Sequence, residues 1–195
     1  MRVSIEGISG SGKTTLLKLL KIVDFDVHYL EDDKWKELFK ENAKKYACGF
    51  GLYKLSQQMD IIRDTKGKLI QLYEGSPFTL KNVWIPFLES EGWLHPEEAL
   101  TECNMIDKNG WIPDCIIYLD SYADICCNKI NYLEKGSLYR LWRKYEMMLD
   151  NNSKTIPIYR VNANTTMGNI FYAVLQILYQ IQIHNNMYIT KPVFV

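Results

Sequence analysis

The sequence predicts a three-layer α/β domain, a parallel sheet covered by helices on both faces. Five short apolar runs have strand character, and longer segments with apolar residues three and four apart lie between them. Strands alternating with helices join through right-handed crossovers, which makes the sheet parallel. The chain has 195 residues, enough for one substantial core and short for two domains.

The first run, Val3–Glu6, leads into Gly7-Ile-Ser-Gly-Ser-Gly12-Lys13-Thr14, which fits G-x-x-x-x-G-K-[ST]. A helical run with Leu16, Leu17, Leu19 and Leu20 follows, so the motif has the strand-to-helix context it needs. Its glycines let successive amides converge on phosphate oxygens at a helix N-terminus. Lys13 then reaches the β- and γ-phosphates, and the Thr14 hydroxyl is placed for Mg²⁺. Gly7, Ser9, Gly10, Ser11, Gly12, Lys13, Thr14 and Thr15 form the expected ATP-binding set. A GTPase reading fails, because Asn128-Lys129-Ile-Asn131 has Asn where N-K-x-D needs Asp and lies in a helical pattern.

The second run, Val27–Leu30, ends at Glu31, with Asp32 and Asp33 behind it. Acidic residues in a first turn favour the helix dipole, and Asp32 or Asp33 makes the better cap. Glu31 sits earlier, at the mouth of the sheet, where a base can take a proton from a hydroxyl. The third run, Leu69–Tyr73, stops at Glu74; Ser76 is a good N-cap and Pro77 suits the first helical position. Glu74 precedes that cap and is not needed for it. On a strand beside the phosphate-loop strand, it can hold magnesium through water. The next helix carries Val83, Trp84 and Phe87, as core or as a pairing face, and Pro86 is expected to kink or end it.

The fourth run, Cys115–Leu119, ends at Asp120, which either caps a helix from Tyr122 or imitates a Walker B aspartate; local chemistry favours the cap. The fifth, Ile156–Val161, precedes a helix from Thr165 with Ile170, Val174, Ile177, Leu178 and Ile181 on one stripe. Residues 1–183 read as one domain and 184–195 as a C-terminal arm.

Composition narrows the function. The formal charge is zero, so nothing favours a nucleic acid polymer or an anionic membrane surface. No apolar stretch approaches the roughly 20 residues of a membrane helix, and the N-terminus lacks a signal-peptide h-region. Cys48, Cys103, Cys115, Cys126 and Cys127 match no zinc or disulfide spacing. They read as buried thiols of a reducing, cytoplasmic compartment.

The motifs, in this order, resemble the deoxynucleoside kinase family, which includes viral and animal thymidine and deoxycytidine kinases. EGISGSGKTT is similar to the family's phosphate loop. LEDDKW resembles its strand-end glutamate followed by a tryptophan, with Glu31 as base and Trp35 beside the nucleoside, although Asp32 stands where a proline is expected. Glu74-Gly75-Ser76 followed by Thr79, Lys81, Val83 and Trp84 resembles the acidic-Arg-Ser segment and its helix. PDCIIYLDSYADICCNKI resembles the fourth strand and the helix into the lid. Glu134, Gly136 and Tyr139 resemble the end of that lid, near residues 129–137, where a glutamate meets the sugar hydroxyl.

The resemblance implies a P-loop kinase fold with strand order 2-3-1-4-5. It implies salvage phosphorylation of a deoxyribonucleoside 5′-hydroxyl from ATP·Mg²⁺, thymidine being the first acceptor to consider. Expected substrate contacts are Glu31, Trp35, Tyr53, Gln57, Glu74 and Glu134; Lys129 joins the nucleotide set, and Thr14 and Glu74 the magnesium. Pairing into a homodimer through helices is also implied. A nucleotide-binding homologue with little turnover and a thymidylate kinase are the competing readings.

The departures bear on catalysis. Gly75 occupies the family's arginine slot, and only Lys129 precedes the lid glutamate. Gly51 falls where the base-reading glutamine is expected; Gln57 and Gln58 follow about 9–10 Å further along the helix. Removing one preorganised charge costs about 10²–10³ in rate. Arg140 and Arg143, one turn apart, are candidate replacements or a solvated helix face.

Overall fold

The computed structural model describes residues 1–29, 34–64, 70–130 and 132–184. Its strands are β1 (Arg2–Glu6), β2 (Asp26–His28), β3 (Gln71–Glu74), β4 (Cys115–Asp120) and β5 (Ile158–Asn162). They form one parallel sheet in the order β2-β3-β1-β4-β5, as expected. β1 is therefore central, and β3 and β4 flank it. Strand bounds shift by a few residues from the sequence reading. β5 begins at Ile158, after Pro157, because proline has no N–H to give to the ladder. Leu30 and Leu69 lie outside the described residues.

Alternation along the strands divides the core. On one face Val3, Ile5, Ile117 and Leu119 pack with Leu16, Leu17, Val174 and Leu178. Those partners come from α1 (Lys13–Ile22) and α9 (Met167–His184). On the other face Ile116 and Tyr118 join a core containing Leu55, Val83, Phe87, Leu138 and Tyr145. That core draws on α3 (Ala43–Asp64), α5 (Ile85–Ser90), α6 (Pro96–Asn109) and α8 (Lys135–Asn152). α2 (Lys34–Glu41) rests against α3. Val83 and Phe87 are fully buried, so they serve the core and not a pairing face.

Pro86 neither ends nor breaks its helix. Ser76 caps α4 (Pro77–Thr79), accepting a hydrogen bond from the Thr79 N–H at 3.1 Å. The chain then widens into a π turn at Leu80–Trp84, where the Ile85 N–H donates to Leu80 O, five residues back. A π turn relieves the clash and the missing donor that proline imposes on α-helical bonding, so the helix continues to Ser90. The same turn places Trp84 at the cavity wall.

Asp120 is not a cap. α7 (Ala123–Cys127) has Tyr122 at its N-cap with no side-chain bond, and the Tyr122 N–H donates to Asn164 Oδ1 at 2.7 Å. Asp120 instead lies 3.6 Å from Arg160. No helix among the described residues is long and apolar enough to cross a membrane.

Candidate active site

Where β1 ends, residues 7–12 turn tightly into α1. Gly10 has φ of +86°, and a Cβ there would come within 2.9 Å of the Cys126 carbonyl, so only glycine fits without a shift. Gly12, also left-handed, occupies the N-cap of α1 without a side-chain bond. The first N–H groups of the helix therefore face the loop as anion donors. Ser11 Oγ is buried there without a hydrogen-bond partner. Lys13 Nζ donates to Gly7 O at 2.7 Å and Ile8 O at 3.0 Å, folded over the loop it would release for a phosphate. This donor set, with a backbone cradle that a Cβ would fill, fits a polyphosphate.

Parallel pairing sets Ile5 opposite Glu74 and so brings the end of β3 to the start of α1. Thr14 Oγ1 lies 2.8 Å and 3.0 Å from the two Glu74 carboxylate oxygens. A hydroxyl and a carboxylate at the phosphate loop are hard oxygen donors, which suits Mg²⁺. The loop and Glu74 open into one cavity of about 510 Å³. The same cavity is also walled by Phe39, Phe50, Lys54, Gln58, Trp84 and Tyr132.

Glu6 also lines this cavity and was not anticipated as a site residue. Ser4 and Thr79 donate to Glu6 Oε1, Thr79 at 2.6 Å; Ser76 adds a bond at 3.2 Å. Among the described residues, the other oxygen receives only a long 3.4 Å bond from the Tyr145 hydroxyl. Burial pushes the Glu6 carboxyl above its ordinary range, while Ser4, Thr79, Lys13 and Lys54 pull it back. Burial also raises the Tyr145 hydroxyl, and the Glu6 charge adds to it. A signal existed in the sequence. Central parallel strands are apolar on both faces, and Ser4 and Glu6 make one face of β1 polar.

α3 presents Phe50, Lys54 and Gln58 to the cavity at four-residue spacing. Gln58, not Gln57, is the amide that faces it; Gln58 is buried, and its Oε1 has no partner. The rotation of α3 also moves the expected glutamine position. Gly51 faces α6, where a Cβ would lie 2.5 Å from Glu102 Oε2. Burial pushes the Glu102 carboxyl up to about 7; the Cys48 thiol offsets this in part, and Glu98 adds to it.

Tyr53, Trp35 and Glu134 do not line the cavity, whereas Lys129 does. Trp35 packs beside Gly49, and Glu134 is the N-cap residue of α8 without a side-chain bond. Trp84 and Phe50 supply aromatic wall instead. Arg140 and Arg143 do not enter the cavity either. Arg140 is held by Glu91, with a 2.8 Å bond between Nη2 and Oε2, and by Ser137 at 3.1 Å. Glu31, Asp32 and Asp33 lie outside the described residues.

Comparison with known proteins fits this geometry. The deoxynucleoside kinase family model matches residues 3–171, which covers the sheet, the phosphate loop and the residues lining the cavity. The chain belongs to the deoxynucleoside kinase family. A relative in invertebrate iridescent virus 3, "Putative kinase protein 029R", is 26% identical over 192 residues, 90% of this chain and 95% of that one. Solved structures of deoxyadenosine kinase from M. mycoides share the fold. The form with the products dCMP and dCDP superposes with a TM-score of 0.79 at 14% identity, covering 92% of this chain and all of the other. The form with dATP gives 0.76 at 15% identity with the same coverage.

Proposed function

We propose that this deoxynucleoside kinase homologue transfers the γ-phosphoryl group of ATP to the 5′-hydroxyl of a deoxyribonucleoside. One observation carries the reading. A single cavity joins the phosphate loop and Glu74 to aromatic walls and to a buried amide, Gln58, whose Oε1 has no partner among the described residues. The aromatic walls give the flat surfaces of a base site, in the cavity that also holds the phosphate site.

Catalysis of this class is mainly positioning and electrostatics. Lys13 exchanges the Gly7 and Ile8 carbonyls for phosphate oxygens. Thr14 and Glu74 would hold Mg²⁺, which would supply charge neutralisation at those oxygens. Lys129 adds a cation from the segment before α8. Glu31 accepts the hydroxyl proton as the acceptor oxygen bonds to γ-phosphorus and ADP departs with the electrons of the broken bond. Gln58 carries both a donor and an acceptor, so it can pair with the O4 and N3–H edge of thymine. Thymidine is therefore the first acceptor to test. The amino-bearing edges of adenine and cytosine pair with the same amide, and the relatives' bound dCMP and dATP keep them on the panel.

Gly75 and the Glu91-bound Arg140 favour a second reading, a nucleotide-binding homologue with little turnover. The test offers each of the four common deoxynucleosides, and thymidylate separately, to the purified protein with ATP·Mg²⁺. Acceptor-dependent ADP is expected with at least one deoxynucleoside. ATP binding without acceptor-dependent ADP sinks the kinase reading and supports the second; turnover with thymidylate alone makes the chain a monophosphate kinase.

A further inference from the structure

We propose that Lys54 is the cation of the acceptor end, presented from α3 in place of a side chain at position 75. The proposal rests on the kinase reading above. It concerns where the positive charge beside the acceptor oxygen comes from when the strand-end segment carries a glycine.

The backbone explains why position 75 does not supply it. Gly75 has φ of +75°, a conformation in which any L-residue is strained. The space itself is open. A Cβ at Gly75 would stand 3.7 Å from Gln58 Nε2 and 3.9 Å from Glu6 Oε2, with nothing tighter. A side chain leaving β3 would thus enter a volume bounded by Gln58 and Glu6.

Lys54 lines the same cavity as Gly75. It lies one turn before Gln58 on the cavity-facing stripe of α3. Its charge acts on the Glu6 carboxylate. Its ammonium stands 5.1 Å from the centre of the Trp84 ring and 5.4 Å from that of Phe50. These two ring faces contribute to placing the cation at the cavity wall. A base laid on those rings takes the ammonium's place there. The flexible four-carbon stem then carries the nitrogen toward Glu6 and the acceptor oxygen.

Lys40 bonds Glu37 at 2.6 Å on α2, and Arg140 is held by Glu91 and Ser137. Lys13 and Lys129 line the phosphate side.

The test compares the full chain with Lys54→Met, Lys54→Arg and the double variant Lys54→Met/Gly75→Arg. Readouts are kcat and KM for the acceptor, ATP affinity measured separately, and melting temperature; Lys54→Gln replaces the Met variant if that one does not fold. Lys54→Met is expected to lower kcat/KM for the acceptor about 10²-fold, with ATP affinity within about twofold of the parent. Lys54→Arg should retain most activity, and Gly75→Arg should restore at least about tenfold to Lys54→Met. Unchanged acceptor kinetics in Lys54→Met overturns the proposal and leaves the kinase reading standing. Equal losses of acceptor turnover, ATP affinity and melting temperature also overturn it, because they mark a structural lysine. A parent protein with no turnover on any acceptor removes the kinase reading and this proposal together.

Discussion

At the phosphate end of the cavity, nearly every contact comes from residues 7–15, joined by Glu74 across one strand. At the acceptor end, Glu6, Lys54, Gln58, Trp84 and Tyr145 arrive from β1, α3, the π turn and α8. The first is a short piece of backbone whose shape is set locally by glycines and a helix start. The second exists only once the helices have packed, so its identity depends on helix rotation. Exchange of residues between elements is easier there. The phosphate end constrains sequence; the acceptor end constrains geometry.

Two substitutions separate the ends with the largest expected effects. Lys13→Ala should lower turnover by about 10³-fold or more and weaken ATP binding, because it removes the cation on the transferred group. Glu31→Gln should lower turnover by about 10²–10⁴-fold while ATP affinity stays unchanged, since it removes the proton acceptor alone. Steady-state kinetics beside nucleotide titrations distinguish the two. A Glu31→Gln variant that lost ATP binding would break the division.

Glu74→Gln should act between the ends. The Thr14 hydroxyl keeps its place, but the ion loses a charged partner, and the Mg²⁺ concentration giving half-maximal rate should rise about 10–100-fold. A rate titration with Mg²⁺ measures this. An unchanged midpoint would return Glu74 to the role of a plain partner for Thr14.

A smaller effect concerns the scaffold behind the acceptor end. The Glu102 carboxyl sits at about 7 in the fold against an ordinary 4.5, so folding favours its protonated form. That contribution is full below about 4.5 and is lost as pH rises through about 7. Glu102→Gln should therefore stabilise the protein above neutrality by about 1–3 kcal/mol and make no difference at the acid end. Melting curves from pH 4.5 to 8.5 for both proteins check the sign. A gain of the same size at every pH would assign the effect to packing.

How much was legible in the sequence follows the same contrast. The phosphate loop could be read because its chemistry needs contiguous residues at fixed spacing. Glu74 could be read because a lone carboxylate ends an apolar strand, with Ser76 and Pro77 already explained by the helix start. Strand order came from the family resemblance, and the sheet carries it. Gln57 was chosen over Gln58, and Lys54 was not singled out, because α3 packs against the cavity, α6 and α2 at once. With several faces covered, its pattern does not say which face holds which contact. Glu6 was passed over as the end of a strand. Asp120 read as a cap because strand-end aspartates often cap, yet Asn164, 44 residues on, takes the Tyr122 N–H. Pro86 announced a departure from α-helical bonding, but not that it would be a π turn through which the helix continues.

Chemical identification of the product decides most directly whether the chain phosphorylates a deoxynucleoside. Purified protein is incubated with ATP·Mg²⁺ and each deoxynucleoside, and the mixture is resolved for ADP and deoxynucleoside 5′-monophosphate. The account predicts the two products in equal amounts for at least one acceptor, and neither with Lys13→Ala. Bound ATP with no monophosphate from any deoxynucleoside would contradict it.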